Sequence, residues 1–230
     1  MALSSQVSRL QSHLGLSSRQ SQPLVSSHLT PLPLHLSPHD SEPPNIQATI
    51  DALGLEPHIE GGYFVLTDAS TTMIPSPYPP TPLSQETMAL VGEASSDFDP
   101  ALRRLSSSIF YLLTPAQPIG FFHRNRSRIH HSWHRGRGCY VLIHPNGRVE
   151  SFIVGPDLEN RERLQWTVDG GVWKASFLLA SCPTHSQGLL VSETVVPGFE
   201  YADHEFLSHQ RCAQLLPDHL LTQLSCLVKH

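Results

Sequence analysis

The side chains best suited to chemistry are concentrated in residues 121–137, which contain four histidines, five arginines and no acidic residue. Histidine transfers protons near neutral pH and is a common metal ligand, so a metal site is one interpretation. Arginine forks that hold a carboxylate or a phosphate are a second interpretation. In a third, Arg124, Arg126 and Arg128 form only a solvated connection between strands, and we favour this over the second.

The spacing of the histidines limits the metal interpretation. If 129–134 is a strand, its odd-numbered residues share one face and its even-numbered residues share the other. Only one of the adjacent histidines, His130 or His131, can then join His123 inside a barrel. Two inward histidines without a nearby carboxylate fall short of the three protein ligands of a catalytic metal site, so we expect no metal and no other cofactor.

The overall composition restricts the partners of the chain. A net charge of −5 gives no general electrostatic reason to bind nucleic acid or an anionic membrane. No apolar run reaches the 18 residues or so of a membrane-spanning helix. The four cysteines are too widely spaced for a zinc cage or a disulfide framework, which favours a reducing compartment. We therefore expect a cytoplasmic protein whose partner is a small molecule.

The elements that position these residues follow from short apolar stretches bounded by turns. Nine strands are predicted, over residues 61–68, 107–114, 119–123, 129–134, 138–144, 148–154, 163–168, 172–180 and 188–195. The Asn146-Gly147 pair predicts a tight hairpin between two of them. Many short strands with few helices indicate an all-β sandwich or barrel.

Helices are expected only at the margins of the barrel. One is predicted over 45–53, with Asn45 as its cap and Gly54 as its end. A closing helical pattern near the C-terminus is interrupted around Pro217. Residues 73–85 are predicted to form a loop, because five prolines lie within residues 75–82.

The chain is expected to divide into three parts, with the barrel over 46–208 and a C-terminal helical segment over 209–230. Residues 1–45 hold six of the 20 prolines and eleven serines, and they form an arm that is either partly disordered or packed on the barrel. The arm has no acidic residue before Asp40, as in organelle-targeting peptides. We favour a disordered tail, because its arginines are sparse.

Five short motifs resemble one known family in content and in order. They are PHIEGGYF at 57–64, SIFYLL at 108–113, FHR at 122–124, GVWK at 171–174 and VPGFE at 196–200. The family is the DUF985 proteins, also called cupin 5, and the resemblance covers about residues 52–207. It implies a double-stranded β-helix, the cupin jelly-roll barrel, that forms a homodimer and holds its ligand inside the barrel. It does not imply one reaction, because related cupins include isomerases, lyases, dioxygenases and plain binding proteins.

The departures from the family pattern concern its metal-binding positions. The glutamate that binds metal in many cupins aligns with Ile129, and a position that is often histidine in metal cupins aligns with Lys174. Glu193 occupies a position where the family has a cysteine-like residue. A cation repels a metal ion, so these departures also argue against a metal.

Lys174 becomes the strongest candidate, because the resemblance places it inside the barrel. A desolvated lysine there acts as base, acid or Schiff-base nucleophile, or it anchors a substrate carboxylate. The alternative is a structural ion pair with Glu193 on a neighbouring strand. We predict that Lys174, His123, Glu193 and His131 handle protons.

A second set of residues is predicted to hold the substrate. They are Tyr63, Trp133, Trp173, Tyr111 and Arg124. Glu60, before Gly61-Gly62, is expected to tie down a turn where the backbone passes close to another segment.

These predictions together describe a cupin-fold lyase or isomerase acting on a small organic molecule by metal-independent acid–base chemistry. Dehydration, isomerisation, epimerisation and cyclisation all fit. One alternative is a metal-dependent dioxygenase or isomerase that uses His123 with His130 or His131. The other is a non-catalytic binding module.

Overall fold

The computed structural model describes residues 41–92, 98–179 and 188–229. Most of the N-terminal arm, with the targeting signal considered for it, lies outside the described residues, as does Cys182. Within the described ranges, no helix is long and apolar enough to cross a membrane.

Short strands are the main regular secondary structure of the described chain. They are β1 (Glu56–Pro57), β2 (Tyr63–Ala69), β3 (Met73–Pro75), β4 (Leu102–Arg104), β5 (Ser107–Leu113), β6 (Ile119–Asn125), β7 (Arg128–Arg135), β8 (Gly138–Ile143), β9 (Val149–Val154), β10 (Gln165–Val168), β11 (Trp173–Leu178), β12 (Leu189–Val196) and β13 (His204–Phe206). The helices are α1 (Pro44–Leu53), α2 (Gln85–Val91), α3 (His209–Leu215) and α4 (Asp218–Leu224), with 3-10 turns at Tyr201–Asp203 and Ser225–Leu227.

The strands form two main antiparallel sheets that face each other. One has six strands in the order β1-β2-β5-β12-β7-β10, and the other has five in the order β13-β6-β11-β8-β9. β3 and β4 pair separately. Sequence neighbours often lie in different sheets, as in a jelly roll, and the predicted all-β barrel is confirmed.

The nine predicted strands correspond to β2 and to β5 through β12. The strands that were not predicted have only two or three residues, too few for an alternating pattern to show. One of them, β3, begins in residues predicted as loop. Helix α2 was also not predicted, although Ser84 caps it by accepting a hydrogen bond from the Thr87 amide.

Alternation along the strands sorts the apolar side chains into three clusters. The cluster between the two sheets includes Tyr111, Tyr140 and Trp166. A second covers the outer face of the five-stranded sheet, where Phe122 and Trp173 pack against the C-terminal helices. The third lies under α1, on the outer face of the six-stranded sheet. Side chains from the two sheets therefore meet each other on the inner faces, whereas the outer faces pack against helices.

The C-terminal end of α1 is as predicted, and its N-terminal cap is not. The helix ends at Gly54, which has the left-handed conformation (φ 64°) as expected. The capping role predicted for Asn45 is wrong, because Pro43 holds the cap position and Pro44 begins the helix without any side-chain cap. Proline suits this first turn because its missing amide hydrogen has no helical partner there.

Candidate functional site

Two neighbouring groups of buried polar side chains lie on the inner faces of the sheets. The first, here called the lysine group, consists of Lys174, Glu193 and His131. The second, called the glutamate group, consists of Glu60, His123 and His204. Such groups are costly to bury in an apolar core unless their partners are in place.

The lysine group joins the two sheets. Glu193 on β12 and His131 on β7 are directly paired residues of the six-stranded sheet, while Lys174 is on β11 of the five-stranded sheet. The Lys174 Nζ lies 2.5 Å from Oε2 of Glu193 and 3.1 Å from Nε2 of His131. The Lys174–Glu193 ion pair that was considered as the alternative to a catalytic lysine is therefore present. It crosses the barrel, however, and does not connect neighbouring strands.

The protonation of the lysine group follows from its burial and its contacts. Burial opposes ionisation of Glu193, yet Lys174 and His131 outweigh it, so the pKa of Glu193 lies well below its usual value. Burial lowers the pKa of His131, which keeps the imidazole neutral. An ammonium has only donors, so Nε2 of His131 accepts from Lys174 and the ring hydrogen lies on Nδ1.

Aromatic side chains surround His131. Its ring stacks on Trp166 with centroids 4.9 Å apart, and the Tyr140 ring meets both edge-on. The buried Tyr111 donates its hydroxyl hydrogen to the Gly61 carbonyl oxygen at 2.8 Å. Burial raises the pKa of Tyr111 and of Tyr140 well above the usual value, so both hydroxyls stay protonated. The lysine group is therefore set in an apolar, aromatic wall.

The glutamate group brings together three distant segments. Glu60 belongs to the turn between β1 and β2, His123 to β6 and His204 to the start of β13. Oε2 of Glu60 lies 3.2 Å from Nε2 of His123, and its Oε1 lies 3.0 Å from Nε2 of His204. The two imidazole rings stack at 5.3 Å.

Neither Nε2 atom of the glutamate group has a hydrogen-bond partner in the described part of the chain, although both are buried. Each lies near the carboxylate without the alignment that a hydrogen bond requires. Nδ1 of His123 lies 2.8 Å from the Phe121 carbonyl oxygen, and Nδ1 of His204 lies 3.4 Å from Oγ1 of Thr87 on α2. The Nδ1 contacts therefore orient both rings and leave both Nε2 atoms unused.

Burial also controls the charges of the glutamate group. It lowers the pKa of His123 to about 3, so the ring is neutral over the physiological range. Burial opposes ionisation of Glu60, but the contacts with His123 and His58 outweigh it and hold its pKa well below the usual value. Burial likewise lowers the pKa of His58, whose Nδ1 lies 3.5 Å from the Glu60 carboxylate.

The turn that carries Glu60 depends on glycine. Gly61 has a φ of 94°, and a Cβ there would lie 2.1 Å from the carbonyl oxygen of Ile119 on β6. The Phe121 amide also donates to the Glu60 carbonyl oxygen at 2.7 Å. The predicted close approach is confirmed, and the Glu60 side chain does more than tie the turn, because it reaches His123 and His204.

His204 was not predicted as a site residue, and neither was His58. His58 is in the same sequence motif as Glu60, so that motif was a signal for it. His204 lies in a three-residue strand without a recognisable pattern. The expectation that no carboxylate lies near His123 was wrong, because contacts between such distant segments depend on strand order, which periodicity does not reveal.

Several other predicted residues lie elsewhere. Tyr63 packs under α1 on the outer face, and Trp173 packs under the C-terminal helices. Arg124 stacks its guanidinium on Trp173 at 4.5 Å and pairs with Glu205 at 2.6 Å. These three do not reach the barrel interior, because each alternates along its strand with an inward residue.

The remaining predicted residues lie on the inner face or pack against it. His131 is buried and the adjacent His130 is exposed, as strand alternation predicts. Tyr111 contributes to the inner cluster, and Trp133 packs against that cluster while its Nε1 donates to the Gly136 carbonyl oxygen at 2.8 Å.

Comparison with known proteins identifies relatives of the chain. A family model described as the cupin superfamily (DUF985) matches residues 47–207. The uncharacterized protein YML079W of Saccharomyces cerevisiae is 45% identical over 170 residues, which cover 74% of this chain and 79% of that protein.

Two solved structures are similar over most of their length. A hypothetical protein from Leishmania major has a TM-score of 0.63 at 25% identity, covering 80% of this chain and 98% of that one. Protein SO0799 from Shewanella oneidensis has a TM-score of 0.58 at 27% identity, covering 77% of this chain and 95% of that one.

Proposed function

Because the chain belongs to the DUF985 family of the cupin superfamily, we propose that it is an enzyme that transfers protons on a small organic molecule inside its barrel. The lysine group carries this proposal: one ammonium contacts both a carboxylate and a neutral imidazole in the barrel interior. Lyase and isomerase reactions both use such proton transfers.

A purely structural role accounts poorly for the lysine group. Replacing a buried ion pair by apolar residues of similar volume is often neutral or stabilising, so stability does not require a lysine here. Perturbed titratable groups that converge inside a barrel are more typical of a site that handles protons. Lys174 is also one of only two lysines in the chain.

The contacts suggest a role for each residue in an enolisation. When Lys174 turns to the carbonyl oxygen of a substrate, Nε2 of His131 is released from its contact with the ammonium. This nitrogen then takes a proton from the carbon next to the carbonyl, and the electron pair of that C–H bond moves toward the carbonyl oxygen. Lys174 gives a proton to that oxygen, and Glu193 holds the ammonium in place. His131 can return its proton to the opposite face of the same carbon, which gives an epimer, or to a later carbon of a conjugated enol, which gives an isomer. It can instead protonate a hydroxyl on the next carbon, which leaves as water and gives a dehydrated product. In each case the carbonyl forms again as Lys174 takes back the proton from the enol oxygen. These steps draw on no metal.

The surroundings favour an apolar substrate with few polar groups. Trp166 and Tyr140 pack against His131, and both belong to the inner apolar cluster. A flat or aromatic carbonyl compound would complement this wall, since aromatic rings prefer stacked or edge-on contacts. We therefore propose a small enolisable compound with an aromatic or otherwise apolar body.

Exchange of carbon-bound hydrogen in D₂O tests the proposal without knowledge of the product. The full chain is incubated with a panel of aromatic and aliphatic ketones, aldehydes and hydroxy acids, and deuterium uptake is followed by NMR. We expect uptake in at least one compound. His131→Gln and Lys174→Met should each slow it about 10²–10⁴-fold, the usual effect of removing an acid or a base.

Two controls separate chemistry from folding. His130→Gln changes the exposed neighbour of His131 and should keep full activity. Lys174→Met/Glu193→Gln removes the charge pair as a unit and leaves no buried carboxylate without a partner. Full activity in Lys174→Met would refute the proposal. Binding of a compound without any exchange would instead support the non-catalytic binding module.

A further inference from the structure

We propose that Glu60, His123 and His204 form a binding site for a divalent transition-metal ion of the Zn²⁺ class. This site goes beyond the proposed proton transfer, shares no ligand with the lysine group and does not depend on it. The two proposals can therefore fail separately.

The donor set and its spacing fit one ion. The three residues each offer one ligand atom, and these atoms lie within 4.8 Å of one another. Two histidines and one carboxylate are the ligands of several catalytic zinc sites and of non-haem iron sites. Zinc bonds of about 2.1 Å in a tetrahedral arrangement place ligand atoms about 3.4 Å apart. Oε2 of Glu60 lies 3.2 Å from Nε2 of His123 and Oε1 lies 3.0 Å from Nε2 of His204, so each carboxylate oxygen has one histidine nitrogen near that spacing.

The unused Nε2 atoms give an independent reason to expect a ligand. His123 and His204 are 4% and 0% exposed, and their Nε2 atoms have no hydrogen-bond partner among the described residues. A buried polar atom without a partner costs free energy, so we expect these two nitrogen atoms to bind a ligand that is not part of the described chain. The Nδ1 of His123 faces the Phe121 carbonyl oxygen at 2.8 Å, which places the ring hydrogen on Nδ1 and the lone pair on Nε2. Metal-bound histidines are commonly oriented in this way.

A simple hydrogen-bonded cluster explains the geometry less well. It would require each Nε2 to carry a hydrogen aimed at a Glu60 oxygen, and the alignment for such bonds is missing. In His123, moreover, the contact of Nδ1 with Phe121 already takes the single hydrogen of a neutral ring.

The charge of Lys174 does not exclude an ion here. Lys174 is paired with Glu193 at 2.5 Å, so its charge is largely compensated. Glu60 itself supplies a second buried carboxylate. Two arguments from the sequence spoke against a metal. One concerned Ile129 and Lys174, which do not belong to the glutamate group. The other assumed that no carboxylate lies near His123, whereas Glu60 lies 3.2 Å from its Nε2.

Metal binding should also hold three separate segments of the fold together. The three ligands come from the β1–β2 turn, β6 and β13, so the ion would be bound by the folded chain and not by the unfolded one. Such binding stabilises the native state in proportion to the logarithm of the free ion concentration. Three protein ligands would leave a position for water or another small ligand.

Calorimetric titration tests the site. The full chain is freed of metal with a chelator, dialysed and titrated with Zn²⁺. We expect saturable binding of one ion per chain and a higher melting temperature with Zn²⁺. Glu60→Gln and His204→Gln should each weaken the affinity at least 10-fold and remove most of the increase in melting temperature.

Matched controls keep the result interpretable. His130→Gln removes an exposed histidine and should bind Zn²⁺ as the unmodified chain does. Circular dichroism with chelator present checks that each variant folds, and the visible spectrum of bound Co²⁺ gives a second readout of histidine ligation that should change in His204→Gln. No saturable binding, or unchanged affinity and spectrum in folded Glu60→Gln and His204→Gln, would overturn the proposal. Lys174→Met should retain Zn²⁺ binding, which separates this test from that of the lysine group.

Discussion

Asp203 is the residue that holds the start of β13 in position. It directly precedes His204, and Arg103 contacts it through Nε at 2.6 Å with both side chains about 1% exposed. Arg126 adds a further contact with Asp203 at 3.1 Å. These arginines lie far from Asp203 in the sequence, so the position of His204 depends on long-range ion pairs.

Arg103→Met should therefore destabilise the protein strongly. Removing one partner of a buried ion pair typically costs about 3–5 kcal/mol, because the other charge is left uncompensated. The contact with Arg126 should keep the loss near the lower end. Urea unfolding followed by circular dichroism measures the change in free energy of unfolding.

The matched control is Arg128→Ala. The ion pair of Arg128 with Asp169 has side chains that are 67% and 76% exposed, and exposed pairs contribute little to stability. Equal unfolding midpoints for the two variants would contradict the role assigned to Arg103.

At the scale of elements, the β1–β2 turn decides where Glu60 lies. Gly61→Ala should be severely destabilising, because the new Cβ would overlap the Ile119 carbonyl oxygen in addition to having an unfavourable positive φ. We expect a loss well above the roughly 1–2 kcal/mol that the backbone conformation alone costs. Denaturant unfolding of the purified variant measures it.

Gly54→Ala provides the comparison for this turn. Gly54 also has a positive φ, but no atom lies within 4 Å of a Cβ built there. Its loss should be limited to the cost of the left-handed conformation. If both variants lost the same stability, the close approach between the turn and β6 would not matter.

Strand alternation accounts for which predictions about elements were correct. It placed His130 and His131 on opposite faces, and it located every strand of six residues or more. It also explains why Tyr63 and Trp173 proved to be outside, since each neighbours an inward residue. The short strand that carries His204 has too few residues for the same reasoning.

At the scale of the whole molecule, buried neutral histidines make stability depend on pH. Burial lowers the pKa of His58, His123 and His131, in His123 to about 3. As the pH falls below about 6.5, the unfolded chain takes up protons that the folded chain does not. The stability that these neutral rings contribute is therefore fully present above about pH 6.5 and declines as the pH falls.

Unfolding in urea between pH 8 and pH 5, with chelator present, should show this decline. Each buried histidine contributes up to about 1.4 kcal/mol per pH unit. The lowered pKa values of Glu60 and Glu193 add a further loss below about pH 4.5. His123→Asn should reduce the slope between pH 6 and pH 5. An unchanged slope would mean that His123 is not buried as a neutral ring.

The homodimer implied by the family resemblance is a further prediction at this scale. Leu66, Met73 and Val196 are large apolar residues with about half of their surface exposed, and a second copy of the chain would cover such surface. Light scattering should give twice the 25.5-kDa mass of one chain. A mass of one chain at micromolar concentration would contradict the prediction.

The sequence by itself determined the all-β class, the nine longer strands, the cupin resemblance and, through that resemblance, the position of Lys174 inside the barrel. These features depend on local periodicity and on motifs, which are visible along the chain. Only the tertiary structure decided the partners. It paired Lys174 with Glu193 across the barrel and joined Glu60, His123 and His204 from three distant segments. The physical reason is that strand order and sheet closure bring those side chains together, and neither is encoded in local spacing.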